Sequence, residues 1–185
     1  MDNGASSYRR FLDGDDEGIA QLVEEYKDGL ILYLNRYVQN IHIAEELAED
    51  TFFRIITGKA KFREKCSFKT WLYSVAHHVA VDNIRRNSKS REISLEEVQD
   101  ILRDETDLER HYIRAEQISR LYEALKRIPA AYSAALYLVY IEGFSNGEAA
   151  RVLHKTDRQM RNLLYRGKLS LKSELEKDGF SYEEL

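Results

Sequence analysis

Ile19, Leu22, Val23, Tyr26, Leu30, Leu34, Tyr37 and Val38 recur at steps of three and four, which places them along one stripe of a helix. After a break near Asn40, Ala44, Leu47, Ala48, Thr51, Phe52 and Ile55 repeat the pattern, while Glu45, Glu46, Glu49 and Asp50 occupy the other face. Gly58 and the charged run through Lys65 end this second helix. Phe68, Leu72, Val75 and Val79 then begin the stripe of a third, running towards Arg86.

From Asn87 to about Glu109 only Ile93, Leu95, Val98, Ile101 and Leu102 can be buried, so residues 91–111 are expected to be an acidic linker, with room for a short helix. Ile118, Leu121, Tyr122, Leu125 and Ile128 resume the helical period until Pro129 interrupts it. Ala134, Ala135, Leu138, Val139 and Ile141 supply the next helix, which stops at Gly143. Two capping boxes follow, Ser145-Asn-Gly-Glu148 and Thr156-Asp-Arg-Gln159, so two short helices should meet at a turn around His154. Ala149, Ala150 and Leu153 on one, with Met160, Leu163 and Leu164 on the other, suit the small interface of a helix-turn-helix. Met160, Leu164, Gly167 and Leu171 share the buried stripe, so Arg158, Arg161, Asn162, Tyr165 and Arg166 project from the opposite side. The expected architecture is all-α: residues 1–90 and 112–185 form two small helical domains around the linker.

Composition supports that class. One proline, nine glycines and one cysteine among 185 residues argue against a β-sandwich or a disulfide-stapled module. The longest apolar run, Ala134 to Ile141, is far short of the roughly 20 residues needed to cross a bilayer. Acidic residues stand where a signal peptide needs an apolar stretch, which predicts a cytoplasmic protein. The net charge of -4 hides segregation: Lys69 to Arg91 is net +4, Glu92 to Glu109 net -7, and Arg151 to Lys172 net +6. Two basic patches with an acidic stretch between them suit two contacts with a polyanion.

These segments, in this order, resemble the extracytoplasmic-function subfamily of bacterial RNA polymerase sigma factors. Ala44-Glu-Glu-Leu-Ala-Glu-Asp-Thr-Phe-Phe-Arg54 is similar to the helix of the second conserved region that docks on core RNA polymerase. The resemblance assigns that docking to Glu46, Leu47, Glu49, Asp50, Phe53 and Arg54. Phe68-Lys-Thr-Trp-Leu-Tyr-Ser-Val-Ala76 and the residues after it resemble the stretch that opens and reads the minus-10 promoter element. There it points to Phe68, Lys69, Trp71, Tyr73, Ser74, His77, His78, Arg85 and Arg86, with the loop Phe62 to Ser67 capturing a flipped base. Gly143-Phe-Ser-Asn-Gly-Glu-Ala-Ala150 and the helix after Thr156 look like the fourth region, which reads the minus-35 element through Lys155, Arg158, Arg161, Asn162, Tyr165, Arg166 and Lys168. The subfamily also implies a membrane-bound anti-sigma partner and a linker running through the path of nascent RNA. The sequence departs from the family pattern with Glu49-Asp50 in place of Gln-Glu, His78 in place of Asn, and His154 in place of a turn glycine.

Opening promoter DNA requires a surface that stabilises unpaired bases, and no covalent catalysis. Stacking of a base on an aromatic ring contributes about 1–3 kcal/mol, which offsets the cost of unstacking it. Phe68 and Trp71 also fit a helix core at this spacing, whereas the helical wheel directs Ser74, His77 and Arg85 outward. The acidic cluster Glu45, Glu46, Glu49 and Asp50 lacks the Glu-x-x-His pairs of carboxylate-bridged metal bundles, and His77 and His78 diverge by about 100°, so no metal or other cofactor is expected. A second reading is a stand-alone helix-turn-helix regulator that binds duplex operator DNA without polymerase.

Overall fold

The computed structural model describes residues 3–88 and 119–179, and every regular element among them is helical. The expected linker and the start of the stripe at Ile118 lie outside the described residues. The N-terminal unit contains α1 (Asn3–Leu12), α2 (Glu17–Val38), α3 (Ile41–Ile56) and α4 (Phe68–Ser88). The C-terminal unit contains α5 (helical residues 119–127), α6 (Ala130–Leu136), a π-helical segment Tyr137–Ile141, α7 (Asn146–Val152) and α8 (Asp157–Lys177).

The break between α2 and α3 is built by Gln39, in the left-handed conformation at φ 50°, and by Asn40, whose side chain accepts a hydrogen bond from the Ile43 amide at 3.2 Å. Leu22, Leu30 and Leu34 of α2 meet Ala44, Ala48, Phe52 and Ile55 of α3, all essentially removed from water. Helix α1 lies outside the stripes read from the sequence; it buries Gly4, Ala5 and Tyr8, with Phe11 packed beside them. Tyr8 joins Phe68 and Trp71, both with ring centroids 5.5 Å away, and Phe62 at 6.1 Å. Phe62 in turn lies 5.2 Å from Trp71 and 5.5 Å from Phe68, so one aromatic cluster ties α1 and the loop before α4 to the core.

Both capping boxes form. Ser145 and Glu148 exchange side-chain to backbone hydrogen bonds at the start of α7, and Thr156 and Gln159 do so at the start of α8. The turn between them passes through His154 at φ 51°, the left-handed conformation that L side chains rarely adopt. Met160, Leu164 and Gly167 are buried, and Gly167 lets the Leu136 side chain approach to 3.3 Å of where a Cβ would stand.

The π-helical segment has a structural effect that helical periodicity does not foresee. Residues five apart diverge by about 140° on an α-helix, but a π-turn, with i→i+5 bonding, nearly superposes them. The Glu142 amide donates to the Tyr137 carbonyl at 3.0 Å, and the Tyr137 hydroxyl reaches Glu142 Oε1 at 3.1 Å. Gly143, at φ 73°, then reverses the chain and delivers the buried Phe144.

The two units pack together: α2 against α6, and α4 against α7. No helix among the described residues is long and apolar enough to cross a membrane.

Close approach of α1 to α2 depends on Gly18, where a Cβ would stand 2.4 Å from the Ser7 carbonyl oxygen and 2.7 Å from the Phe11 amide. Because these are backbone atoms, Gly18→Ala should lower stability by about 1–3 kcal/mol in chemical denaturation. Gly147→Ala, at an exposed helical position with nothing within 4 Å, should be neutral or slightly stabilising. A Gly18→Ala protein as stable as the parent would contradict this packing of α1.

Candidate nucleic-acid and docking faces

Three faces carry the residues singled out by the sequence. On α3, Glu46 and Glu49 are exposed, as are Phe53 at 53% and Ile56 at 46%. Arg54 sits at their edge, 3.1 Å from Asp50 and 3.7 Å from Asp82. Lys59 lies over the Phe53 ring at 5.3 Å. Leu47 departs from the expectation: it belongs to the core at 6% exposure, because its position falls on the stripe facing α2. Ile56 and Lys59 extend the face beyond the expected set. Ile56 follows Phe53 by one helical turn, a spacing that could have marked it.

On α8, every expected residue is exposed: Lys155 before its start, then Arg158, Arg161, Asn162, Tyr165, Arg166 and Lys168. The Thr156 cap fixes where this helix starts, and the buried Met160–Leu164–Gly167 stripe fixes its rotation. What remains outward is a row of guanidinium groups with one amide and one phenol. These are the donors and acceptors that can reach base edges and phosphates in a major groove. Lys168 also leans over the exposed Tyr140 ring at 4.9 Å.

Helix α4 differs most from expectation. Phe68 and Tyr73, expected to meet DNA, are fully buried: Phe68 in the aromatic cluster with Tyr8, Tyr73 between Tyr33 at 5.3 Å and Phe144 at 5.1 Å. Trp71 is partly buried in the same cluster as Phe68. Ser74 and His77, expected to point outward, are half-covered by the C-terminal unit or by α2. Ser74 Oγ lies 3.3 Å from His154 Nε2, and His77 Nδ1 lies 3.1 Å from the Tyr37 hydroxyl and 3.4 Å from that of Tyr33. Burial, then the neighbouring His154, His78 and Lys155, push the His77 pKa down to about 4, so its ring is neutral at pH 7. His78, Arg85 and Arg86 are exposed. The periodicity of one helix cannot foresee this cover, because the residues that provide it come from a second unit.

Lys69 is the centre of that cover. Its Nζ lies 2.9 Å from Glu142 Oε2 and donates to the Glu142 carbonyl at 2.8 Å, with the Phe144 and Tyr73 rings 5.0 and 5.8 Å away. Glu142 also accepts from Tyr137. Burial, with the Glu142 charge next in order, drives the Tyr73 and Tyr137 phenols well above their usual pKa, so both remain protonated donors. Gly29 of α2 permits the approach, since a Cβ there would stand 2.7 Å from Glu142 Oε1 and 2.5 Å from the Tyr73 hydroxyl. Nearby, Arg36 is 3% exposed, stacked 5.3 Å from Tyr122 and 5.9 Å from Tyr137, with its Nη1 lacking a hydrogen-bond partner. Thr70, Glu142 and Phe144, which build this contact, were not among the expected site residues.

No group of three His, Cys, Asp or Glu side chains among the described residues is placed to hold a metal ion.

Comparison with known families matches residues 22–90 to Sigma-70 region 2 and residues 118–171 to Sigma-70, region 4. RNA polymerase sigma factor YlaC of Bacillus subtilis is 27% identical over 162 residues, covering 87% of this chain and 94% of that protein. ECF RNA polymerase sigma factor SigW of the same organism is 25% identical over 170 residues, covering 88% and 91%. The fold is shared with the sigma factor RpoE of Bartonella quintana, solved with the anti-sigma factor NepR, at a TM-score of 0.66 and 18% identity over 85% of this chain and 96% of that one. It is shared also with CnrH, solved with the cytosolic domain of CnrY, at 0.64 and 17% over 95% and 96%.

Lys69 and Glu142 should be energetically coupled across the two units. A double-mutant cycle of Lys69→Met and Glu142→Gln, read by denaturant unfolding of the full chain, should give a coupling of about 0.5–3 kcal/mol. Strict additivity would mean that the pair contributes nothing in solution.

Proposed function

The chain belongs to the extracytoplasmic-function branch of the sigma-70 family, and on that premise we propose how its faces divide the work of starting transcription. As a sigma factor it binds core RNA polymerase and directs it to promoters, and it is not an enzyme. Residues 1–90 act as region 2, residues 91–111 as the linker, and residues 112–185 as region 4. The exposed acidic and apolar side of α3, with Glu46, Glu49, Phe53 and Ile56, docks on a basic surface of the polymerase, where charge complementarity sets orientation and association rate. The side of α4 that carries Lys69, Ser74, His77 and His78, continued by Arg85 and Arg86, meets the minus-10 DNA. Phe68, Tyr73 and Leu47 support these faces from the core and do not touch the partner.

The observation that carries the reading is the outward row on α8, set by two capping boxes and a buried stripe and exposed among the described residues. Side chains early in a recognition helix meet base edges, so Arg158, Arg161 and Asn162 read the minus-35 element, while Arg166 and Lys168 hold phosphates. A stand-alone operator-binding regulator would leave the exposed face of α3 without a role. The protein works in the cytoplasm. One fold neighbour was solved with an anti-sigma factor, and a membrane-bound anti-sigma factor is the regulator expected for this chain.

Mixing the chain with sigma-free core polymerase should give run-off transcripts, and Glu46→Lys with Glu49→Lys should weaken core binding at least tenfold at low salt, a change of about 1.4 kcal/mol. Equal binding by the charge-reversed protein would move the docking surface elsewhere.

With holoenzyme, Asn162→Ala should relax preference at one minus-35 base pair, at a cost of about 1–3 kcal/mol. Lys168→Ala should weaken all promoters alike and lower the salt slope by about one. Uniform losses for both, with unchanged base preference, would leave α8 as a phosphate clamp.

A further inference from the structure

The turn after α7 and the middle of α4 bring three imidazoles together at the seam between the units. The His78 and His154 ring centroids are 4.4 Å apart, and those of His77 and His154 are 6.0 Å apart. His78 comes from α4 and His154 from the turn, so this contact joins the two units. Ser74 bonds both partners: its carbonyl lies 2.8 Å from His78 Nδ1, and its hydroxyl 3.3 Å from His154 Nε2. His154 is held there at φ 51°, where an asparagine or glycine would fit with less strain.

The groups around this cluster are one cation, neutral hydroxyls and two carboxylates that are engaged elsewhere. Lys155 adjoins His154 and raises the cost of a second positive charge there. From α2, Tyr33 and Tyr37 present hydroxyls to His77, and burial keeps both phenols protonated. On α7, Glu148 is engaged by Ser145 and Thr70, with Arg151 adding to its surroundings. On α4 beyond His78, Asp82 faces Arg54 of α3.

We infer that His78 and His154 form a proton-sensitive latch between the units: neutral rings hold the turn after α7 against α4, and protonated rings repel and release it. The inference rests on the assignment of the α4 face to minus-10 DNA, because Ser74 and His77 are the residues that release would uncover. Two unit charges about 4 Å apart in a water-like medium shift an equilibrium about fivefold, so the open fraction should rise by about that factor on acidification. The sign follows from linkage. His77 and His154 both have their pKa values lowered in the closed form, by burial first and then by neighbouring cations. An imidazole with a depressed pKa favours the closed form above the ordinary value of about 6.5, and that preference begins to be lost as the pH falls below it, a loss that for His77 continues to about 4.

The test uses the full chain, free in solution, titrated from about pH 7.5 to about pH 5.5, the range in which exposed imidazoles gain their charge. Small-angle X-ray scattering should show the parent expanding as the His154 ring takes up its proton by NMR, with helical content by circular dichroism unchanged. His154→Gly and His154→Asn both suit the left-handed turn and should stay compact over the same range, held by the Lys69–Glu142 contact. Equal expansion of parent and both variants, or no expansion of the parent once His154 is protonated, overturns the latch. Binding of a single-stranded DNA oligonucleotide separates the two ideas: acid expansion of the parent without any gain in DNA binding would support the latch and overturn the minus-10 assignment of α4.

Discussion

The ion pair between Lys69 and Glu142 is the contact on which the relation of the two units depends. Its carboxylate takes the ammonium of α4 and the hydroxyl of Tyr137, under rings contributed by Tyr73 and Phe144. Each participant arrives by a separate local device. The π-helical segment brings Glu142 beneath Tyr137, Gly143 turns Phe144 inward, and Gly29 leaves room on α2. The contact is therefore specific, and it sits beside an apolar core that the two units share, where Tyr73 meets Phe144 and Tyr33 meets Tyr137.

A seam of this composition suits a joint that must open. Lys69 and Glu142 regain water when separated, which offsets much of their attraction in the closed state. Arg36 works in the same direction, for its buried guanidinium has aromatic faces above it but an unsatisfied Nη1. Buried groups of this kind cost free energy that exposure to water returns. The closed arrangement covers the side of α4 that carries Ser74 and His77, while leaving α8 and the outer side of α3 free. Under the proposed division of faces, docking and upstream recognition need no rearrangement, whereas contact of α4 with DNA does.

The helices were legible where apolar residues alone decide burial. The stripe of α3 appears in the sequence as it appears in the fold, and both capping boxes were readable because their hydrogen bonds are local. That of α2 appears only in part, because Ile31, Tyr33, Asn35 and Arg36 are buried as well, Tyr33 and Arg36 beside rings of the second unit. Helix α1 was missed because it is only 10 residues long, so the recurrence of Ala5, Tyr8 and Phe11 at steps of three is too brief to stand out. The π-helical segment was hidden for another reason: it alters the period itself. The cover over Ser74 and His77 was not foreseen because a helical wheel assumes one buried side, and α4 is covered from a second direction by residues some 70 positions away, as Glu142 is from Lys69. The departures at His78 and His154 looked unrelated along the chain, yet they meet at the seam.

The central claim is that the two units close over α4 in the free protein and part when the polymerase takes it up. Spin labels on Lys27→Cys of α2 and Gly147→Cys of α7, with Cys66→Ser, report that separation directly by pulsed electron paramagnetic resonance. Both label sites are exposed. The account predicts one short distance in the free chain and a longer, well-defined one in the complex with core RNA polymerase. The same short distance in both states would contradict it.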